Sequence, residues 1–170
     1  MNIKMVDLFL YSGKWYEIYV QNAFFEMGCD AATAEYEMIP GGLSVLNKCY
    51  SKNGKGSIYT IQEPYYKEVM QIKGVAKPLN YEGFPMPLCP MTLDNTFVFN
   101  PYNNVGEYDL TFETGQKGIY KIFFTNYYFS IVGTLENNYL SILSRTPYVN
   151  REVLNYYLNL ARSYGFKIKI

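Results

Sequence analysis

Cys29, Cys49 and Cys89 are the three thiols of a 170-residue chain that contains no histidine. Three scattered thiols are too few for a structural zinc site, and without imidazole the mixed cysteine and histidine ligand sets are excluded. No metal site is expected. The commonest general base and the commonest haem ligand are missing as well, so most hydrolase, metalloenzyme and haem-protein readings lose their central residue. No catalytic residue and no cofactor is assigned. Lys plus Arg and Asp plus Glu number 15 each, a net charge of zero, so no basic face is announced and nucleic acid is not an expected partner. What remains is aromatic: 19 Tyr and 11 Phe against one Trp. Such side chains suit half-buried pleated surfaces and apolar walls with a few hydroxyls.

The elements that would carry those side chains are strands. From Tyr16 onward short alternating segments are punctuated by Gly, Pro and Asn, the pattern of an antiparallel all-β domain. Eight strands are expected, at 14–20, 30–38, 43–50, 67–77, 106–113, 118–125, 128–134 and 138–145. Pro40-Gly41-Gly42 and Glu136-Asn137-Asn138 read as hairpin turns. One helix is expected at 151–164, capped by Asn150 and ended by Gly165, with Val153, Leu154, Tyr157, Leu158 and Ala161 on one face. Residues 78–105, rich in Pro, Asn and Gly, form an inserted excursion within this single domain, 1–170, with a short extra strand at Thr96-Phe97-Val98-Phe99. The opening MNIKMVDLFLYSGKW has no apolar core of signal-peptide length, and no apolar run approaches the ~18 residues of a membrane span. A soluble chain is expected, cytoplasmic as written unless it is a mature form.

Three separated segments resemble one family. Gly13-Lys14-Trp15-Tyr16-Glu17-Ile18 is similar to the opening motif of the lipocalins, in particular the bacterial outer-membrane lipocalin and apolipoprotein D branch. Thr125-Asn126-Tyr127 resembles the family's Thr-Asp-Tyr motif, with Asn in place of Asp, and Tyr139 to Pro147 resembles its third motif, ending in an Arg that packs on the Trp. Glu26 to Cys29 and Val45 to Tyr50 are also similar, whereas residues 78–105 are not. The resemblance implies an eight-stranded antiparallel up-and-down β-barrel with a C-terminal helix packed outside it, and a function in binding, carrying or scavenging a small hydrophobic ligand such as a fatty acid or lysophospholipid. It implies a structural closed end built from Gly13, Trp15, Thr125, Asn126, Tyr127 and Arg145, where an Arg stacked on an indole seals the joined sheet.

With that end closed, strand direction puts the mouth at 20–28, 51–66, 113–117 and 135–138, and Phe24 and Phe25 there suit a lid over an apolar ligand. Alternation selects the inner wall. Thr33, Glu35 and Glu37 must face water, which turns Ala32, Ala34, Tyr36 and Met38 inward. Val45 and Asn47 join them on the third strand, then Tyr108, Leu110 and Phe112, then Tyr120, Ile122 and Phe124. On the last strand Tyr139, Ser141 and Leu143 point in, leaving Leu140 and Ile142 outside to meet the helix.

The same parity places Cys29 outward and Cys49 inward, badly oriented to pair unless a bulge shifts the register, so free thiols are expected. Some lipocalin relatives isomerise their ligands with an internal Cys, and Cys49 is the one candidate for that chemistry here, although Lys48, its nearest cation, faces away. An interaction protein with a filled cavity is the other alternative, with residues 78–105 as partner surface through Phe84-Pro85-Met86-Pro87-Leu88. Homo-oligomerisation through that insertion and a peripheral lipid or membrane contact are compatible with the sequence.

Overall fold

The computed structural model describes residues 6–22, 30–52, 66–79, 89–90, 97–98 and 106–168. Ten strands and two helices run in the order α1 (Leu8–Tyr11), β1 (Gly13–Gln21), β2 (Ala31–Ile39), β3 (Gly42–Lys52), β4 (Tyr66–Leu79), β5 (Cys89–Pro90), β6 (Phe97–Val98), β7 (Glu107–Phe112), β8 (Lys117–Thr125), β9 (Phe129–Thr134), β10 (Tyr139–Ser144) and α2 (Arg151–Ser163). Eight of the strands close into one barrel in the order β1-β10-β9-β8-β7-β4-β3-β2, and β5 pairs with β6 apart from it. Every barrel strand is antiparallel to the strands beside it, and β1 meets β10 to close the wall, which leaves no open edge. The barrel and its outer helix are the architecture expected from the sequence.

Two apolar clusters result from strand alternation. Inside the barrel, Trp15, Tyr36, Val45, Tyr108, Leu110, Phe112 and Tyr139 pack with their neighbours, while Ile131, Leu140 and Ile142 point outward against Tyr157, Leu158 and Ala161 of α2. The helix starts where expected: the Asn150 side chain accepts a hydrogen bond from the Val153 amide at 2.9 Å, satisfying one of the donors that a helix N-terminus leaves open. At the β9–β10 hairpin, Gly133 has φ +155°, and a β-carbon there would collide with the Tyr139 carbonyl oxygen. Only glycine lets these two strands approach so closely.

The short helix α1 was not foreseen, because four residues carry no readable helical period. Asp7 caps it, accepting from the Phe9 and Leu10 amides. The segment lies across the closed end, with Val6, Leu8 and Tyr11 all fully buried in the barrel core. The excursion leaves between Leu79 and Glu107, which are register partners on β4 and β7. Of it, the β5 and β6 backbones are described, and Phe97–Val98 coincides with the extra strand expected at 96–99.

Candidate ligand-binding site

The closed end is organised around Arg145. Its guanidinium carbon sits 3.7 Å from the centre of the Trp15 ring, and its nitrogens donate to the carbonyls of Tyr127 (3.0 Å), Lys14 (3.0 Å), Leu10 (2.9 Å) and Tyr11 (3.3 Å). A planar fork with five N–H donors suits this task, since it can stack and donate sideways at once. Trp15 Nε1 donates to the Tyr11 carbonyl at 2.9 Å. Gly13, at φ +105°, passes so near that a β-carbon would lie 3.3 Å from Arg145 Nη1. Thr125 accepts from the Tyr127 amide, Asn126 accepts from the amides of Tyr128 and Phe129, and the Tyr127 hydroxyl accepts from the Asp7 amide. All six residues assigned to this end are brought together there.

Above the seal lies a floor of tyrosines. The Tyr36 and Tyr120 hydroxyls are 3.0 Å apart, Tyr120 is 3.5 Å from the Tyr11 hydroxyl, and Tyr11 is 2.8 Å from Ser130 Oγ. Burial pushes Tyr11 up to about 12, against the smaller opposing effects of its hydrogen bonds to Ser130 and Tyr120 and of Arg145. Burial likewise raises Tyr108 and Tyr120 well above the ordinary phenol value. These groups are neutral hydrogen-bonding hydroxyls at neutral pH.

The hollow over that floor is bounded by Ala34 and Tyr36 of β2, Val45 and Asn47 of β3, and Leu110 of β7. Tyr120 of β8 and Tyr139, Ser141 and Leu143 of β10 continue the wall. It is narrow: the space open to the centre of a water-sized sphere is about 20 Å³, room for roughly one water, within about 440 Å³ left unfilled by atoms and partly open to solvent. Admitting anything larger requires the bounding side chains to turn aside.

Glu17, Ala76 and Val132 also border the hollow and were not assigned to it from the sequence. Ala32 borders it too, as its parity required. Tyr108, Phe112 and Ile122 are buried in the same core but lie outside the lining of the hollow, so they fill the barrel instead of bounding its space. Phe24 and Phe25 lie outside the described residues.

Three expectations about facing are corrected. Phe124, expected inside, packs outside against Tyr157 of α2 with ring centroids 5.9 Å apart. A bulge between Ile122 and Phe124 inserts one residue into β8, so Phe123 and Phe124 both serve the outer cluster and the alternation beyond Ile122 is displaced. Thr33, expected to face water, is only 1% exposed. It borders the hollow beside Ala32 and Ala34, and its register partners on the neighbouring strands are Tyr16 and Lys48. Met38, expected inside, is 39% exposed at the turn-ward end of β2, although its register partner Leu43 is buried in the barrel core.

The expectation of free thiols fails at Cys49, which is disulfide-bonded. Cys49 keeps the inward parity of Val45 and is buried, and β2 and β3 pair in unbroken register beside it; the bulge on β3 follows it, between Cys49 and Tyr50 against β4. Cys29 and the Cys89 side chain lie outside the described part of the chain. A sulfur held in a disulfide is not a thiolate nucleophile, so Cys49 loses the chemistry considered for it. Lys48 does face away, 3.4 Å from Glu68 on the outer surface.

A family model described as a lipocalin-like domain matches residues 6–78. The chain is 32% identical over 159 residues to the outer membrane lipoprotein Blc of Vibrio cholerae serotype O1, covering 92% of this chain and 74% of that protein. It is 26% identical over 168 residues to the putative lipocalin R877 of Acanthamoeba polyphaga mimivirus, covering 96% and 80%. Among solved structures, lobster apocrustacyanin A1 superposes with a TM-score of 0.50 at 15% identity over 94% of this chain and 73% of the other, a likeness of fold. With the sealed barrel, the outer helix and these relatives together, the chain belongs to the lipocalin family.

Proposed function

We propose that this chain binds one small amphiphile with a single slender apolar chain, of the fatty acid or lysophospholipid kind, inside the barrel. The lipocalin family in general binds small hydrophobic molecules, and its members are generally binding proteins and not enzymes. The observation that carries the reading is an interior hollow whose apolar side chains include Ala34, Val45, Leu110, Val132 and Leu143, with tyrosines and a few other polar residues among them. The narrow hollow favours a flexible chain over a rigid polycycle, since a chain needs fewer wall side chains to move at once. Eight strands leave space for about one such ligand.

One observation favours a second reading. With about 20 Å³ open, the tyrosines come close to filling their own barrel, as expected of an interaction protein that uses residues 78–105 as its partner surface. Native mass spectrometry of the purified chain separates the two, because it reads bound lipid and oligomeric state together. Co-purified lipid at one per barrel, or saturable binding of an environment-sensitive apolar dye at micromolar concentration, about −8 kcal/mol, supports the carrier. An empty oligomer that takes up no dye supports the alternative.

A further inference from the structure

We propose that the Thr33 hydroxyl is the hydrogen-bond donor to the ligand: the hollow takes an apolar chain that carries an uncharged carbonyl, as in an ester or amide, and holds that oxygen against Thr33. This rests on the binding function proposed above. Thr33 is 1% exposed, and among the described residues its Oγ1 is the one buried side-chain polar atom with no hydrogen-bond partner. A hydroxyl taken out of water without a partner is costly and rare in folded proteins, so such a group at the edge of a cavity points to a polar atom that belongs beside it.

The hollow is bounded there by three consecutive residues of β2, Ala32, Thr33 and Ala34, and the two neighbours carry no more than a methyl group. Thr33 is also where the β1–β2 ladder ends. Tyr16 and Thr33 are its last pair toward the mouth, and beyond them β1 continues to Gln21 against β10 while β2 runs back to Ala31 against β3. The hydroxyls of Tyr36, Tyr120 and Ser141 on the same hollow already have partners: the two tyrosines lie 3.0 Å apart, and Ser141 donates to Glu17 at 2.8 Å. Thr33 has one proton to donate. A carbonyl accepts it and brings no donor of its own, whereas an alcohol adds a second proton that needs an acceptor. A carboxylate would arrive with a charge, and the described residues bounding the hollow include neither Lys nor Arg to meet it.

The test compares methyl decanoate, which has an ester carbonyl, with 1-chlorodecane, a chain of the same length whose chlorine is a poor acceptor. Each displaces an uncharged environment-sensitive dye. Thr33→Val, close in shape but without the hydroxyl, should bind the ester about five- to tenfold more weakly than wild type, while chlorodecane stays within about twofold. Thr33→Ser, which keeps the hydroxyl, should hold the ester within about twofold of wild type. Without ligand, Thr33→Val should unfold in urea at or above the wild-type midpoint, because no hydrogen bond within the protein is lost. The inference is overturned if Thr33→Val leaves ester affinity unchanged or weakens both probes alike. It is equally overturned if that variant unfolds below the wild-type midpoint or fails to fold, since the hydroxyl would then already have a partner. Absence of dye and probe binding by wild type overturns the proposed function itself, whereas dye binding with an ester affinity indifferent to Thr33→Val overturns this inference alone.

Discussion

Arg145 lies over Trp15, 3.7 Å from guanidinium carbon to ring centre, while donating to carbonyls on both sides of the barrel seam. Truncating it removes the stack and leaves several carbonyls without their donor. Arg145→Ala should therefore cost about 2–4 kcal/mol in urea unfolding, and Arg145→Lys should recover less than half of that because an ammonium cannot stack and fork together. A loss below about 0.5 kcal/mol for the alanine variant would contradict the sealing role.

The buried tyrosines set an alkaline limit. Tyr11, at about 12, and Tyr108 and Tyr120, raised by burial, hold their protons in the folded state after an unfolded chain would have released them near pH 10. Above that pH the unfolded state binds fewer protons, so stability is intact below about 10 and falls as pH rises toward 12, by up to about 1.4 kcal/mol per pH unit for each such tyrosine. Absorbance at the phenolate band should show an early phase from exposed tyrosines and a late one coincident with loss of β circular dichroism. Full ionisation with the barrel still folded would refute it.

Leu110 and Thr111 test the register of β7. Leu110→Glu puts a carboxylate into the hollow, so dye affinity should drop at least tenfold at neutral pH and partly recover in acid as the group takes up a proton. Thr111, whose register partners are Val75 and Lys117, faces out. Thr111→Glu should stay within about threefold of wild type. The reverse pattern would mean that β7 is shifted by one residue.

Phe124→Ala tests the bulge in β8. Because Phe124 packs on Tyr157 outside the barrel, the substitution should lower stability by about 1–3 kcal/mol through loosened helix packing while dye affinity changes less than twofold. A large loss of dye binding at unchanged stability would return Phe124 to the interior.

The fold and most of the wall were legible because alternation survives wherever a strand is regular. On β7 the sequence Glu107 to Phe112 reads polar and apolar in turn, and Tyr108, Leu110 and Phe112 are all buried as that pattern requires. Phe124 was misread where a single insertion breaks the pattern, whereas Thr33 and Met38 lie on the regular strand β2. The bulges after Ile122, Glu17 and Cys49 leave no mark in composition, yet a bulge displaces the parity of every later residue on its strand, which is why Phe124 was misplaced. Val132 escaped notice for another reason: Phe-Ser-Ile-Val-Gly-Thr on β9 is apolar on both faces, one toward the barrel core and one toward α2. Glu17 was hidden by its type, since an acid within a motif reads as surface. The signal that could have found it is the parity it shares with Trp15.

The seam between β1 and β10 also decides when the molecule can exist. Arg145 reaches back 135 residues to Leu10 and 134 to Tyr11, so the contacts that close the wall are among the most distant the chain makes. Joining such remote segments carries a loop-closure cost that the intervening hairpins offset only as they form, and topologies dominated by such pairings fold slowly. During synthesis, β1 must wait with its edge unpaired until β10 has left the ribosome. Until then the growing chain presents a strand edge open to pairing with another chain. A chain truncated before Tyr139 would keep that edge for good and would be expected in the insoluble fraction.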